Sequence, residues 1–329
     1  MWFQALTGFA EENPDQVRSH LVVDGAKMTS LKNGRQMNCG PLETPTLAEL
    51  RSRIQTGVVK GGELKVSEVV ADVQDLHMDP ANAHATFQVA SQFNLLEMVS
   101  PSVTPERGVD FYENDRTQGP ACAIACGAGT IYRNYFAEVN GKVGQSASNQ
   151  IDCLHDLGEA FGNERGRLWH MQNGYALASA EGLAEISRLL LSATEFERDE
   201  LRQLLRIGIQ WDTEVTLGDS PHPVTQSYCS ALPVAYSPHP PSQWAAFAQL
   251  VLEASYEATL SVATLNASKN GSNKVFLTLL GGGAFGNSEG WILAALRRAL
   301  NLFRHLDLEV AVVSHGSSRR AVRVLVEAW

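Results

Sequence analysis

Long apolar runs are missing from this chain. Nowhere do about 18 uncharged apolar residues stand together, so no membrane-spanning helix is expected. The start runs quickly into Glu11, Glu12 and Asp15 and lacks the basic end and apolar stretch of a signal peptide. An excess of positive charge is missing too. At a net charge of -10 there is no basic face to displace counterions, which argues against a nucleic-acid binder. Cysteine is scarce: the five thiols, Cys39, Cys122, Cys126, Cys153 and Cys229, are odd in number and scattered. The spacing of Cys122 and Cys126 suits one helix face better than a redox or zinc pair. Reduced structural thiols and a cytosolic or nuclear compartment are the expectation. His77, His84, His155, His170, His222 and His239 show no H-E-x-x-H spacing, so no metal site is expected. Ser91, Ser314 and Ser317 lack the G-x-S-x-G elbow of hydrolases. No internal repeat, low-complexity tract or linker is visible.

What is present is an ordinary globular balance, with 44% apolar and 19% charged residues over 329 positions. That length allows a sizeable core. Residues 1–60 are mixed in character and read as an N-terminal extension, with a helix over Thr46–Thr56; residues 61–329 read as one elaborated domain. Val66–Val73 and Ala85–Gln92 have strand character. Ser100–Pro120 is polar, with Pro and Gly, and reads as a long loop, a length that usually serves function. Helices are expected at Leu154–Phe161, Ala180–Ser192 and Glu195–Arg206, and strands at Leu168–Leu177, Gln210–Leu217 and Thr225–Tyr236. The last two flank a turn at Gly218–Pro223. A long helix is expected from Ser242 to Asn266, opened by Pro240 and Pro241 and closed by Gly271. Its stripe of Phe247, Leu250, Val251, Ala254, Ala258 and Leu265 faces a core.

The most clearly patterned segment comes next. Val275–Leu280 is apolar except for Thr278, as a strand buried on both faces should be. Gly281–Asn287 is glycine-rich, Ser288–Phe303 is helical, and Leu308–Ser314 is a second buried strand. This is a parallel crossover unit. Glycines let backbone approach a ligand closely, and the helix that follows offers unpaired amides with a partial positive charge. Several charge-assisted hydrogen bonds, each on the order of 1.5–3 kcal/mol, could hold a diphosphate there. Gly282, Gly283, Ala284, Phe285, Gly286 and Asn287 are the candidate binding residues, with Phe285 placed to pack on a sugar or base. Gly281, Gly283 and Gly286 also match G-x-G-x-x-G. A dinucleotide dehydrogenase would need an acidic residue ending the next strand, where this chain has His315, and more chain than remains.

Leu277–Ser314 resembles the last strand–loop–helix–strand unit of macrodomains, whose loop cradles the diphosphate and distal ribose of ADP-ribose. Phe87–Asn94 looks like the macrodomain strand that ends in an asparagine at that ribose, which implies a role for Asn94. Thr117–Gly127 sits where the family has its first phosphate loop, which implies roles for Gln118 and Gly119. Asp75 stands where macrodomains often place an adenine-contacting aspartate, with Asp79 as its rival. The double asparagine and triple glycine usual in these earlier segments are absent, and the chain is nearly twice the usual length. The pattern is similar to a divergent branch whose bacterial effectors remove ADP-ribose from arginine, including on ubiquitin. The resemblance implies a three-layer α/β fold with a mixed, mainly parallel sheet. It also implies ADP-ribose as ligand rather than a cofactor, and an ADP-ribosylated protein as partner.

Hydrolysing an ADP-ribosyl–arginine bond passes through an oxocarbenium-like state that a carboxylate can stabilise while another group activates water. A second carboxylate can hold the guanidinium. The acidic residues available are Glu97, Glu106, Asp110, Glu113 and Asp115. Asp115 adjoins the Gln118–Gly119 segment and is the first candidate, followed by Asp110 and Glu106. Two other readings fit the same pocket: a module that binds ADP-ribose without cleaving it, and an enzyme acting on a free nucleotide-sugar metabolite. Tyr132–Phe136, an aromatic cluster around Arg133 and Asn134, has no role assigned by pattern.

Overall fold

Seven segments of the chain pair into one sheet: β1 (Leu42–Glu43), β2 (Lys65–Val70), β3 (Thr86–Ala90), β4 (Gly208–Glu214), β5 (Pro223–Cys229), β6 (Lys274–Leu277) and β7 (Glu309–Ser314). They appear in a computed structural model that describes residues 1–219 and 221–329; Ser220, in the turn expected at Gly218–Pro223, lies outside the described residues. The order across the sheet is β1-β4-β5-β3-β6-β7-β2. The five strands from β5 to β2 run parallel, and β4 is antiparallel to both β1 and β5. A mixed, mainly parallel sheet is therefore what forms.

Alternation along β3 and β5 shows why both faces are covered. Phe87 stacks on His77 with ring centroids 3.7 Å apart, and the Gln226 amide donates to the Cys122 carbonyl at 2.9 Å. That face meets the helices Val73–Met78 and Gln118–Ala125. One residue along, Gln88 donates to Thr259 at 3.1 Å and Thr225 donates to Asn266 at 3.1 Å. This other face meets the long helix, Pro241–Asn270. Proline in its first turn and Gly271 in the left-handed conformation at its end set its limits. It is buried on most sides, because the helices Leu47–Thr56, Ala180–Ser192, Glu195–Gln203 and Glu289–Phe303 pack around it.

The first 60 residues take part in this architecture. They supply edge strand β1 and the helix Leu47–Thr56, whose capping box joins Thr46 and Glu49. They also form a small antiparallel sheet of Leu21–Asp24, Lys27–Ser30 and Gln36–Asn38. Two expected strands turn out differently. Leu168–Leu177 is a hairpin, Trp169–Gln172 with Tyr175–Ala178, because Asn173 and Gly174 both adopt positive φ in the two-residue turn. Thr225–Tyr236 stops as a strand at Cys229 and ends in a short turn after Pro233. The stretch Ser100–Pro120 holds two 3-10 turns, Pro105–Arg107 and Asp110–Asn114, before a helix begins at Gln118.

Candidate functional site

A cleft of about 380 Å³ opens where β3, β6 and β7 end. The carboxyl ends of parallel strands are where such sheets leave a crevice. Ala90 and Ser91, Thr278, and Val313 with His315 form its base. One wall is the glycine loop. Gly281 (φ 72°) and Gly286 (φ 70°) turn the chain in the left-handed region, and the Asn287 amide closes the loop on the Gly281 carbonyl at 2.9 Å. The buried Asn287 side chain ties the loop to the Leu232 carbonyl at 2.8 Å. Within the described residues no partner takes the amides of Gly283, Ala284 and Phe285. The helix Glu289–Phe303 follows with no side-chain cap on its first turn.

A second helix points its start at the same space. Thr117 leaves the helix Gln118–Ala125 without a side-chain cap, so the amides of Gln118 and Gly119 are open toward the cleft. Two uncapped helix starts place partial positive charge on both sides of one crevice, which suits a diphosphate despite the acidic surface.

Glu97 lies at the inner end. The chain leaves β3, reverses through a turn in which the Gln92 side chain bonds both the N–H and the carbonyl of Met98, and returns beneath the cleft. Leu95 takes a positive φ in this turn. Glu97 is only 7% exposed, and its Oε1 has no hydrogen-bond partner among the described residues. Burial pushes its carboxyl well above the usual carboxylate range, offset in part by Arg133 and reinforced by the charge of Asp115. Burial thus favours its protonated form, and the carboxyl lines the cleft. Arg133 is itself buried, its guanidinium 3.7 Å from the centre of the Tyr228 ring.

Tyr175, Tyr236 and Phe285 form an aromatic wall, with ring centroids 5.0–5.6 Å apart. The Tyr175 hydroxyl donates to the Met98 carbonyl. Arg116, His315 and Arg319 stand around the mouth, and His315 is 3.7 Å from Asp72.

The residues singled out by sequence fall into two groups. Asp115, Gln118, Gly119, Gly282, Gly283, Ala284, Phe285 and Asn287 all line the cleft. Gly286 shapes the loop without lining it. Asp110 and Glu106 point elsewhere: Asp110 is 3.6 Å from Arg107, and Glu106 accepts the Ala147 amide at 2.8 Å. Asn94 is fully buried, accepts the Leu96 amide and donates to Gln150, so it builds the turn beneath the cleft rather than its surface. Asp75 is exposed on the helix Val73–Met78, away from the cleft, and Asp79 caps the next turn through the Ala81 amide. Sequence reasoning counted Glu97 among the available acids but ranked Asp115, Asp110 and Glu106 before it, although a lone acid within Leu95–Val99 is an available sign of a buried carboxyl. Nothing in the pattern marked Tyr175 or Tyr236.

No family model matches the sequence, and no curated protein matches it. Among solved structures, a poly(ADP-ribose) glycohydrolase from Thermomonospora curvata, bound to the inhibitor ADP-HPD, aligns at 11% identity with a TM-score of 0.43. The alignment covers 99% of this chain and 98% of that one. The poly(ADP-ribose) glycohydrolase of Deinococcus radiodurans, in complex with ADP-ribose, aligns at 10% identity and a TM-score of 0.46 over 88% of this chain and 94% of that one. These matches correct the expectation of an arginine-specific macrodomain hydrolase. The matched proteins are poly(ADP-ribose) glycohydrolases by name. Neither arginine nor ubiquitin is named for them.

Proposed function

We propose that the cleft binds ADP-ribose and that the protein hydrolyses an O-glycosidic bond to its distal ribose. The observation that carries this reading is Glu97, a buried carboxyl whose Oε1 has no partner among the described residues and whose proton burial helps to retain, in the same crevice as two uncapped helix starts. In the proposed complex the diphosphate lies against the amides of Gly283–Phe285 and Gln118–Gly119. The aromatic wall of Tyr175, Tyr236 and Phe285 packs on the sugar.

Glu97 gives its proton to the leaving oxygen as the bond to the anomeric carbon breaks. Asp115, at the mouth, faces the positive charge that develops on the ribose and takes a proton from the attacking water. Water adds its hydroxyl to the anomeric carbon, so the products are ADP-ribose and the free hydroxyl of the leaving group. Two carboxyl groups in contrasting surroundings, one buried and one half-buried, are what divided acid and base roles require.

Calorimetric titration with ADP-ribose, beside AMP and NAD, tests the binding half. Selective micromolar affinity for ADP-ribose is expected. A folded protein that binds none of the three overturns the reading.

A further inference from the structure

The loop that leads to Asp115 is held from behind. Glu11 reaches it from the N-terminal segment, and its Oε2 accepts two consecutive amides, Val109 at 2.8 Å and Asp110 at 2.7 Å. Its Oε1 accepts the Tyr135 hydroxyl at 2.7 Å. The approach is close: at Gly108, which has a φ of 92°, a β-carbon would stand 2.3 Å from Glu11 Oε2. The Trp2 indole adds a bond to the Val109 carbonyl at 3.3 Å. Two adjacent amides on one carboxyl oxygen, with a hydroxyl on the other, fix the position of this turn at three points.

This tether leads to the cleft in one short step. Val109 and Asp110 open the 3-10 turn Asp110–Asn114, in which the Tyr112 amide bonds the Val109 carbonyl and the Asp115 amide bonds the Tyr112 carbonyl. The buried Tyr112 hydroxyl accepts the backbone N–H of Glu97 at 2.9 Å. One rigid turn thus joins Glu11 on its outer side to Glu97 and Asp115 on its inner side.

We propose that Glu11 is a positioning residue for the cleft: by pinning Val109 and Asp110 it sets Tyr112, and through Tyr112 the backbone of Glu97. The proposal rests on the reading of Glu97 as the proton donor. It gives the N-terminal segment a part in catalysis without contact with the substrate.

Amide hydrogen exchange and steady-state kinetics on Glu11→Ala, Glu11→Gln and Tyr112→Phe separate the possibilities. In Glu11→Ala, exchange at Val109, Asp110 and Glu97 accelerates at least tenfold, while the helix Pro241–Asn270 exchanges as before. Hydrolysis loses 10- to 100-fold in kcat with KM within threefold, and Glu11→Gln, which keeps an acceptor oxygen, recovers most of the loss. Tyr112→Phe gives a similar loss of kcat, and the double variant Glu11→Ala/Tyr112→Phe adds little to it, as residues acting in series should. Unchanged exchange at Glu97 in Glu11→Ala overturns the proposal whether or not the protein hydrolyses the bond named above. So does a fall in kcat matched by global acceleration of exchange, which marks a purely structural role. If Glu11→Ala does not fold, Tyr112→Phe and Glu11→Gln decide: wild-type kcat and wild-type Glu97 exchange in Tyr112→Phe overturn it.

Discussion

Glu97 leaves Gly119 no room for a side chain: a β-carbon at position 119 would lie 2.6 Å from Glu97 Oε2 and 2.5 Å from the Ala90 carbonyl. Neither neighbour is free to yield, since one is main chain and the other a buried carboxyl. Gly119→Ala should therefore displace Glu97 or the start of the helix Gln118–Ala125, which bears Gly119. The expected result is a loss of at least tenfold in kcat, with destabilisation of about 1–3 kcal/mol from overpacking. Wild-type kcat in this variant would separate Glu97 from the chemistry.

Glu97→Gln removes the transferable proton while keeping the shape. Hydrolysis should fall 10²- to 10⁴-fold, the range typical of a lost general acid, and ADP-ribose affinity should stay within a few-fold of wild type. The pH profile carries a second sign. Burial holds the Glu97 proton well above the usual carboxylate range. Wild-type kcat should thus decline as pH rises through that elevated value, and the declining limb should be absent in Glu97→Gln. A limb that persists unchanged assigns it to another group.

Within the glycine loop one position separates binding from folding. Gly281 has a φ of 72° and a β-carbon there would meet Ala231 at 2.3 Å, and Gly286 has a φ of 70° and meets Ala235 at 2.9 Å. Substitution at either strains the backbone. Around Gly283 nothing lies within 4 Å of an added β-carbon, and its φ is not in the left-handed region. Gly283→Val should leave the melting temperature within about 2 °C of wild type, since surface substitutions away from special features cost roughly 0.5 kcal/mol or less. It should lower ADP-ribose affinity at least tenfold by covering the free amides. Full affinity at Gly283→Val would mean that the diphosphate lies elsewhere.

Much of this was legible in the chain because hydrophobic period and glycine placement report directly on backbone. The β6–loop–helix–β7 unit follows from Val275–Leu280, Gly281–Asn287 and Leu308–Ser314, although β6 ends at Leu277, three residues short of the expected strand, and Thr278–Leu280 already belongs to the loop. Asn173 and Gly174 were equally readable as a tight turn, yet an apolar stretch on either side makes Leu168–Leu177 look continuous. Side-chain direction was the harder quantity. Asn94 and Asp110 have the right composition and lie near the right places, but one is turned inward by the Gln92–Met98 reversal and the other is drawn toward Arg107. Glu97 was the converse, an acid whose importance comes from burial that only packing reveals.

Glu257 anchors the helical layer. It is 4% exposed and receives Arg51 Nε on one oxygen and Arg298 Nη1 on the other, each at 2.6 Å. Both arginines also reach Asp199. Removing the central acid leaves two part-buried guanidinium groups short of a partner, a loss on the order of 3–5 kcal/mol for a buried pair. Glu257→Ala should lower the melting temperature by roughly 10 °C. A shift under about 2 °C would show the network to be replaceable by Asp199 alone.

Stability should also vary with pH through Glu11. Burial lifts its carboxyl from the ordinary 4.5 to about 7, against the bonds from the Asp110 amide, the Tyr135 hydroxyl and the Val109 amide; the negative charge of Asp110 acts with burial. A raised carboxyl means that the folded state holds its proton where the unfolded chain has released it. The contribution is therefore complete below about pH 4.5 and is lost progressively as pH rises to about 7, where the folded state ionises too. For a half-buried group, solvent screening brings the loss to on the order of 2 kcal/mol. Glu97 contributes with the same sign, so the wild-type curve alone cannot isolate Glu11. Glu11→Gln carries no proton to lose. Its unfolding free energy in urea, set against wild type at pH 5 and pH 8, should improve relative to wild type by that amount as pH rises. A difference that stays constant between the two pH values would show that the Glu11 carboxyl titrates near its ordinary value in the folded protein.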